Sequence, residues 1–151
     1  MKVSQVMTAD VLTVSVEMTV SAIARLFVGN HISGAPVVDA AGKVVGVVTE
    51  YDLIVRNAHL HLPTFFGFLD AFVPVRGQHE FEEELRRALG AQARDVMSER
   101  LYTVDANAEL EDAATIMVDH HVNVLPVLRG GQLVGVISQS DIVRLMASDD
   151  E

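Results

Sequence analysis

The sequence predicts an α/β (α+β) fold in which a β-α-β-β-α unit occurs twice in tandem. The stretch Gly46–Asp52 returns as Gly135–Asp141, and both copies join an apolar run to a hydroxyl residue with an aspartate three positions later. The preceding segments also align, so that Pro36 meets Pro126 at a shift of 90 residues. Because one unit of about 50 residues can hardly bury both faces of its sheet, we expect two units related by a pseudo-twofold axis.

Each unit is predicted to begin with a short strand and an amphipathic helix. The strands are expected at 11–14 and 101–104, and the helices at 19–29 and 109–119. In both helices the apolar residues recur at the i, i+3, i+4, i+7 spacing of a buried helical stripe. The equivalent stripes are strong evidence for a duplication within the chain.

Two further strands and a second helix complete each unit. The glycine-containing pairs Ala41-Gly42 and Gly130-Gly131 mark the turns between these strands. Because proline lacks a backbone donor, we expect Pro36 and Pro126 at a strand start rather than inside a central ladder. The predicted strands are 35–39, 43–49, 125–128 and 132–138, and the predicted helices are 50–58 and 139–147.

The hydroxyl–aspartate pairs have two interpretations. Thr49 with Asp52, and Ser138 with Asp141, have the spacing of a capping box at a helix start. The same groups suit a nucleotide, because a helix N-terminus attracts phosphate and a carboxylate can accept from both ribose hydroxyls. Both interpretations use the same residues, so the sequence leaves the choice open.

Composition restricts the classes of function. The net charge of −10 argues against nucleic acid as a partner. The chain has no cysteine, no apolar signal core and no run long enough to span a bilayer, so we expect a cytoplasmic protein without disulfides or membrane insertion. The sequence contains no recognisable pairing of a catalytic nucleophile with a general base, so we do not expect an enzyme. We interpret the loop residues His31, His120 and His121 as structural or solvated rather than as metal ligands.

The domain organisation is predicted as residues 1–58 for the first repeat, 59–95 for an insert with a connecting helix, and 96–151 for the second repeat. The run 80–89 is helical by propensity and resembles a docking helix. The aromatic stretch 64–69 is more apolar than a small monomer needs to expose, which favours a homodimer.

The Val-Met-Thr/Ser entries, the Pro-Val strands and the Gly-hydrophobic-x-Ser/Thr-x-x-Asp stretches together resemble the CBS domain. The resemblance covers about 6–58 and 96–147, and tandem CBS pairs form Bateman modules. It implies the fold derived above and a regulatory role, with AMP, ADP, ATP or S-adenosylmethionine bound in clefts between the repeats. No covalent cofactor is implied, and the regulated partner is unknown. The alternative is a scaffold protein whose repeats dimerise without a ligand.

The resemblance also implies a set of site residues. Asp52 and Asp141 match the ribose-binding carboxylates, and Thr49, Ser138 and Ser140 match the phosphate-contacting hydroxyls. Tyr51 stands where the second repeat has Ser140, so the two sites are not equivalent, and we expect Asp141 to contribute more to binding. The full candidate ligand-binding set is Thr13, Gly34, Ala35, Pro36, Thr49, Tyr51, Asp52, Thr103, Val124, Leu125, Pro126, Ser138, Ser140 and Asp141.

Some relatives carry a basic residue two or three positions before the proline. Here those positions hold Ser33-Gly34 and Asn123-Val124, which argues against a tightly held polyphosphate.

Overall fold

The computed structural model of the protein describes residues 1–56, 90–98 and 100–149. The predicted docking helix at 80–89 and the aromatic stretch at 64–69 lie outside these ranges. The described elements are, in chain order, α1 (Val3–Val6), β1 (Val14–Ser15), α2 (Val20–Asn30), β2 (Gly34–Val38), β3 (Val44–Thr49), α3 (Glu50–Arg56), α4 (Ala93–Val96), β4 (Val104–Asp105), α5 (Leu110–His120), β5 (Val124–Arg129), β6 (Gln132–Ser138) and α6 (Gln139–Ser148).

Each repeat folds into a three-stranded sheet with its helices packed beside it. The strand orders are β1-β2-β3 and β4-β5-β6, the first pair being parallel and the second antiparallel in each sheet. The parallel pair is joined through a helix, as a parallel connection requires. The predicted α/β fold with two β-α-β-β-α units is therefore confirmed.

The first strand of each repeat is shorter and later than predicted. We expected strands at 11–14 and 101–104, whereas β1 and β4 contain two residues each. Val14 and Ser15 lie opposite Val37 and Val38, at the far end of β2. Residues before Val14 have no parallel partner, so the apolar pattern alone placed the strand too early.

The expectation that the two prolines lie at a strand start is wrong. Pro36 and Pro126 are the third residues of β2 and β5, which are the central strands of their sheets, and both are fully buried. Parallel pairing begins one residue later, at Val37 and Val127. At the proline only the antiparallel neighbour, β3 or β6, is paired. On its other side the strand has no partner there among the described residues, so a residue without a backbone N–H donor is tolerated, as it is at a sheet edge.

Among the described residues the hydrophobic core forms two clusters, one in each repeat. The first includes Ile23, Phe27 and Val48, and the second includes Met117 and Ile137. Each cluster also contains residues from the segment that precedes the other repeat in sequence. Ala93 and Val96 are buried in the first cluster, and Val3 is buried in the second.

These lead-in segments, residues 1–8 and 91–98, are thus exchanged between the repeats. The backbone N–H of Thr8 donates to Val136 O at 2.8 Å, and Val136 N–H donates back to Thr8 O at 3.0 Å. Ser98 N–H donates equivalently to Val47 O at 3.0 Å. Because the pairing of Thr8 with Val136 has its counterpart in the pairing of Ser98 with Val47, the two units are related by a pseudo-twofold axis.

The exchange explains the glycine in each repeated stretch. A Cβ added to Gly46 would lie 2.8 Å from the backbone oxygen of Ser98, which is closer than a carbon–oxygen contact allows. At Gly135 the equivalent Cβ would lie 3.0 Å from Thr8 O. Each glycine therefore leaves space for the lead-in segment to pair with the last strand of the sheet.

Candidate functional site

The described parts of the two repeats enclose two clefts between them, and each cleft contains one of the hydroxyl–aspartate pairs. The larger, which we call the Asp52 cleft, has a volume of about 1000 Å³. It is bounded by the end of β3 and the start of α3 from the first repeat, and by the lead-in and the α5–β5 connection of the second. Its lining residues include Thr49, Tyr51, Asp52, Ser98, Arg100, Tyr102, Asp119, His120, His121, Asn123 and Val124.

The smaller Asp141 cleft has a volume of about 240 Å³ and is built by the equivalent elements with the repeats interchanged. The end of β6 and the start of α6 form one wall, and the first lead-in with the α2–β2 connection forms the other. Its lining residues include Thr8, Asp10, Leu12, His31, Ser33, Gly34, Val124, Ser138, Ser140, Asp141 and Arg144. Both repeats therefore contribute to each cleft.

In the Asp52 cleft the hydroxyl and the carboxylate form the predicted capping box. Thr49 N–H and Thr49 Oγ1 both donate to Asp52 Oδ2, at 2.9 and 3.1 Å, and Asp52 N–H donates to Thr49 Oγ1 at 3.2 Å. Two of these bonds end on Asp52 Oδ2, and the third comes from the Asp52 backbone N–H. Within the described part of the chain, Asp52 Oδ1 accepts no hydrogen bond, so one carboxylate oxygen remains for another donor.

The Asp141 cleft repeats this box with one difference. Ser138 N–H and Oγ donate to Asp141 Oδ2 at 2.8 and 2.9 Å, and Asp141 N–H donates to Ser138 Oγ at 3.3 Å. Here the second oxygen is also engaged, because Arg144 Nη1 lies 3.2 Å from Asp141 Oδ1. The capping interpretation is confirmed for both pairs, and the two carboxylates differ in their free acceptor capacity.

Eight of the candidate residues line the clefts. Gly34 lies in the Asp141 cleft and Val124, its repeat equivalent, lies in both. The remaining lining candidates are the residues of the two repeated stretches: Thr49, Tyr51, Asp52, Ser138, Ser140 and Asp141.

The other six candidates do not line either cleft. Ala35, Pro36, Leu125 and Pro126 are buried in the sheets, at most 1% exposed for Ala35 and Leu125. Thr13 and Thr103 follow the lining residues Leu12 and Tyr102 by one position. Since side chains of extended backbone alternate in direction, a displacement of one residue moves a candidate out of the cleft.

Sequence reasoning missed the lining residues contributed by the lead-in segments and the helix–strand connections. From the last residue of each lead-in onward they occur at every second position, as Thr8, Asp10 and Leu12 in one cleft and Ser98, Arg100 and Tyr102 in the other. These sets align at the repeat shift of 90 residues. The alternation was therefore visible in the sequence, although nothing local indicated which repeat the lead-ins contact.

The Asp52 cleft has an aromatic side. The rings of Tyr102 and His120 are stacked, with centroids 3.9 Å apart and an interplanar angle of 15°. Tyr51, 69% exposed, lies in the same cleft. Flat, polarisable surfaces of this kind suit a planar ligand group.

His31 and His121 have a structural role. Both end an eleven-residue helix in the left-handed conformation, with φ of 53°, and their backbone N–H groups donate to Phe27 O and Met117 O. This is the C-terminal arrangement that commonly closes a helix. Across residues 1–56, 90–98 and 100–149 no group of three or more His, Asp or Glu side chains is placed to hold a metal ion. In these same ranges no helix has the length and apolar character needed to cross a membrane.

Comparison with known proteins places this geometry in a family. Residues 3–58 and 93–148 each match the CBS domain. Protein MJ1426 of Methanocaldococcus jannaschii is 32% identical over 132 residues, covering 81% of this chain and 77% of that protein. The chloroplastic CBS domain-containing protein CBSX1 of Arabidopsis thaliana is 31% identical over 144 residues, covering 89% of this chain and 58% of CBSX1.

Among solved structures, that of CBSX2 in complex with AMP superposes with a TM-score of 0.72 at 23% identity, covering 99% of each chain. At this identity the likeness concerns the fold. The two family matches and the two sheets of the structure coincide, and the chain therefore belongs to the CBS domain family and carries a tandem pair of these domains.

Proposed function

We propose that the chain is a regulatory module that binds an adenosine compound between its repeats and thereby alters its contacts with a partner protein. The observation that carries the proposal is the Asp52 carboxylate. Its Oδ2 is used for the helix cap, and its Oδ1 accepts no bond from the described residues while the side chain lines a large cleft. A carboxylate oxygen in that position is a strong acceptor for ribose hydroxyls.

The remainder of the Asp52 cleft suits the other parts of such a ligand. Its volume of about 1000 Å³ accommodates a mononucleotide. Tyr51, Tyr102 and His120 offer aromatic surface for a purine, and Thr49 and Ser98 offer hydroxyl groups. The solved structure of CBSX2 holds AMP, which makes AMP the first compound to test here.

Regulation would follow from the construction of the clefts. A ligand in the Asp52 cleft contacts α3 of one repeat and β5 of the other, as well as the exchanged lead-in that carries Ser98. Such a ligand favours whichever arrangement of the repeats it binds more tightly, and shifts the population toward it. Surfaces that differ between these arrangements would then bind the regulated protein differently.

The first test is thermal unfolding with AMP, ADP, ATP and S-adenosylmethionine, added separately. A ligand that binds only the folded chain stabilises it by about 2.7 kcal/mol at 100 times its Kd, which gives a clear rise in Tm. We expect this rise with at least one of the four compounds. If none of them raises the Tm, the ligand-independent scaffold becomes the better description.

The scaffold alternative rests on exposed apolar helix faces. Val28 and Val118 are repeat equivalents, 76% and 71% exposed, and Ile54 and Val143 are equivalents at 62% and 63%. In each repeat the helices that carry these residues contact each other, so the exposed side chains lie on neighbouring helices at equivalent places in the two repeats. We propose that a second copy of the chain covers them, which is compatible with either function.

Sedimentation velocity at micromolar concentration tests this homodimer. The unmodified chain is expected to sediment at twice the mass of one chain, whereas Ile54→Asp with Val143→Asp is expected to sediment at that of one. A charge placed in an apolar interface is costly unless it is paired, and these two positions are exposed in the single chain. An unmodified chain of single-chain mass would refute the homodimer.

A further inference from the structure

The two clefts differ in charge at one pair of equivalent positions. Position 10 carries aspartate and position 100 carries arginine, which correspond at the repeat shift of 90 residues. Asp10 lines the Asp141 cleft, and Arg100 lines the Asp52 cleft. The pseudo-twofold axis thus relates an anion in one cleft to a cation in the other.

Two carboxylates and one guanidinium line each cleft, and the clefts differ in whether that guanidinium is paired. Arg144, the cation of the Asp141 cleft, is paired with Asp141 Oδ1 at 3.2 Å. Arg100 makes no ion pair with any residue in the described ranges, although Asp119 lines the same cleft from the last turn of α5. Among the described residues, the unpaired charge of the Asp141 cleft is therefore Asp10. The Asp52 cleft has an unpaired guanidinium at Arg100, together with the carboxylates of Asp52 and Asp119.

The two clefts also differ in size and in the side chains that line them. The Asp52 cleft has about four times the volume of the Asp141 cleft, about 1000 against about 240 Å³. The next alternating position of the lead-in is Tyr102 in the larger cleft and Leu12 in the smaller. The larger cleft has room for a phosphate beside a nucleoside, and its free guanidinium is the group that binds phosphate best.

We propose that the two clefts select adenosine compounds by charge. The Asp52 cleft binds a nucleotide whose anionic phosphate contacts Arg100, and the Asp141 cleft, in which Asp10 repels phosphate, accepts only compounds with an uncharged or cationic group at that end. This inference rests on the proposed function, since it assigns the ligand class of each cleft. Like charges at short range disfavour binding, and opposite charges favour it.

Calorimetric titration of the full chain with AMP and with adenosine tests the proposal. Arg100→Ala is expected to lower AMP affinity by about tenfold, because one charge-assisted contact is lost, and to change adenosine affinity by less than about twofold. Arg129→Ala is the matched control, since Arg129 is exposed at the end of β5 and lines neither cleft. It removes the same charge and should leave both affinities unchanged.

Asp10→Ala tests the other cleft. Removing the carboxylate is expected to raise the affinity of the weaker site for AMP several-fold, with adenosine affinity again within about twofold. Asp10 is exposed, so the substitution should leave the Tm close to that of the unmodified chain.

The outcomes separate this inference from the proposed function. If the unmodified chain does not bind AMP, charge selection is refuted, and the proposed function is refuted as well only if ADP, ATP and S-adenosylmethionine also leave the Tm unchanged. If AMP binds but Arg100→Ala lowers the affinities for AMP and adenosine equally, or neither of them, charge selection is refuted while the proposed function stands. A selective loss of AMP affinity in Arg100→Ala supports both.

Discussion

Replacing Asp52 with Asn is expected to lower the affinity for AMP by about ten- to a hundredfold and to change the free energy of unfolding by at most about 1 kcal/mol. The amide oxygen can still accept the two cap bonds that Thr49 donates to Asp52 Oδ2. The amide nitrogen then occupies the place of Oδ1. It donates instead of accepting, so the ribose loses its charge-assisted bonds while the helix keeps its cap.

Two matched variants distinguish binding from capping. Asp112 accepts the N–H of Glu109 at the start of α5, at 3.1 Å, and lines neither cleft, so Asp112→Asn alters a cap without altering a site. Asp141→Asn alters a cleft whose second carboxylate oxygen is already paired with Arg144. Calorimetric titration should show unchanged AMP affinity for Asp112→Asn and a smaller loss for Asp141→Asn than for Asp52→Asn. Unchanged affinity in Asp52→Asn would refute the ribose assignment.

The sequence alone does not determine which of these two aspartates contributes more to AMP affinity. The sequence favours Asp141, because Ser138 and Ser140 stand near it and Tyr51 stands near Asp52. The structure favours Asp52 instead. Arg144 follows Asp141 by one helical turn and donates to its second carboxylate oxygen, which is then less available to a ligand. The i, i+3 spacing of that pair is visible in the sequence, but whether the side chains meet is decided by rotamers.

The repeated stretches were predictable because the interactions that form them are local. The capping boxes join residues three apart, the helices follow apolar stripes, and the hairpins turn at glycines with positive φ such as Gly42 and Gly131. Each of these features is determined by a few neighbouring residues. The sequence therefore predicted both carboxylate–hydroxyl pairs and most of the helix and strand boundaries.

The composition of each cleft was not predictable in the same way, because it depends on contacts between distant parts of the chain. Thr8 pairs with Val136, and Ser98 pairs with Val47, so each lead-in lies on the sheet of the other repeat. The short helices α1 and α4 in these segments contain four residues each, which is too few to give a periodic signal. Asp10 and Arg100 become recognisable as site residues only when this exchange is known.

Leu125→Ala is expected to reduce the free energy of unfolding by about 2–5 kcal/mol, without an effect on AMP affinity in the fraction that remains folded. The resemblance to nucleotide-binding relatives places the backbone of Val124 and Leu125 at the adenine end of the site. In the structure Leu125 is 0% exposed and belongs to the second core cluster, next to Met117 and Ile137. Truncation removes buried methyl groups and leaves a cavity, so we expect it to lower the free energy of unfolding rather than the affinity for AMP.

Urea denaturation measures the change in stability, and calorimetric titration below the unfolding transition measures the affinity for AMP. Leu125→Met is the control, because it keeps the side-chain volume and should cost less than about 1.5 kcal/mol. If Leu125→Ala weakens AMP binding while its stability stays close to that of Leu125→Met, the Leu125 side chain contacts the ligand and this prediction is wrong. A large loss of stability with unchanged affinity places Leu125 in the core, and leaves Val124, which lines both clefts, as the residue of β5 available to a ligand.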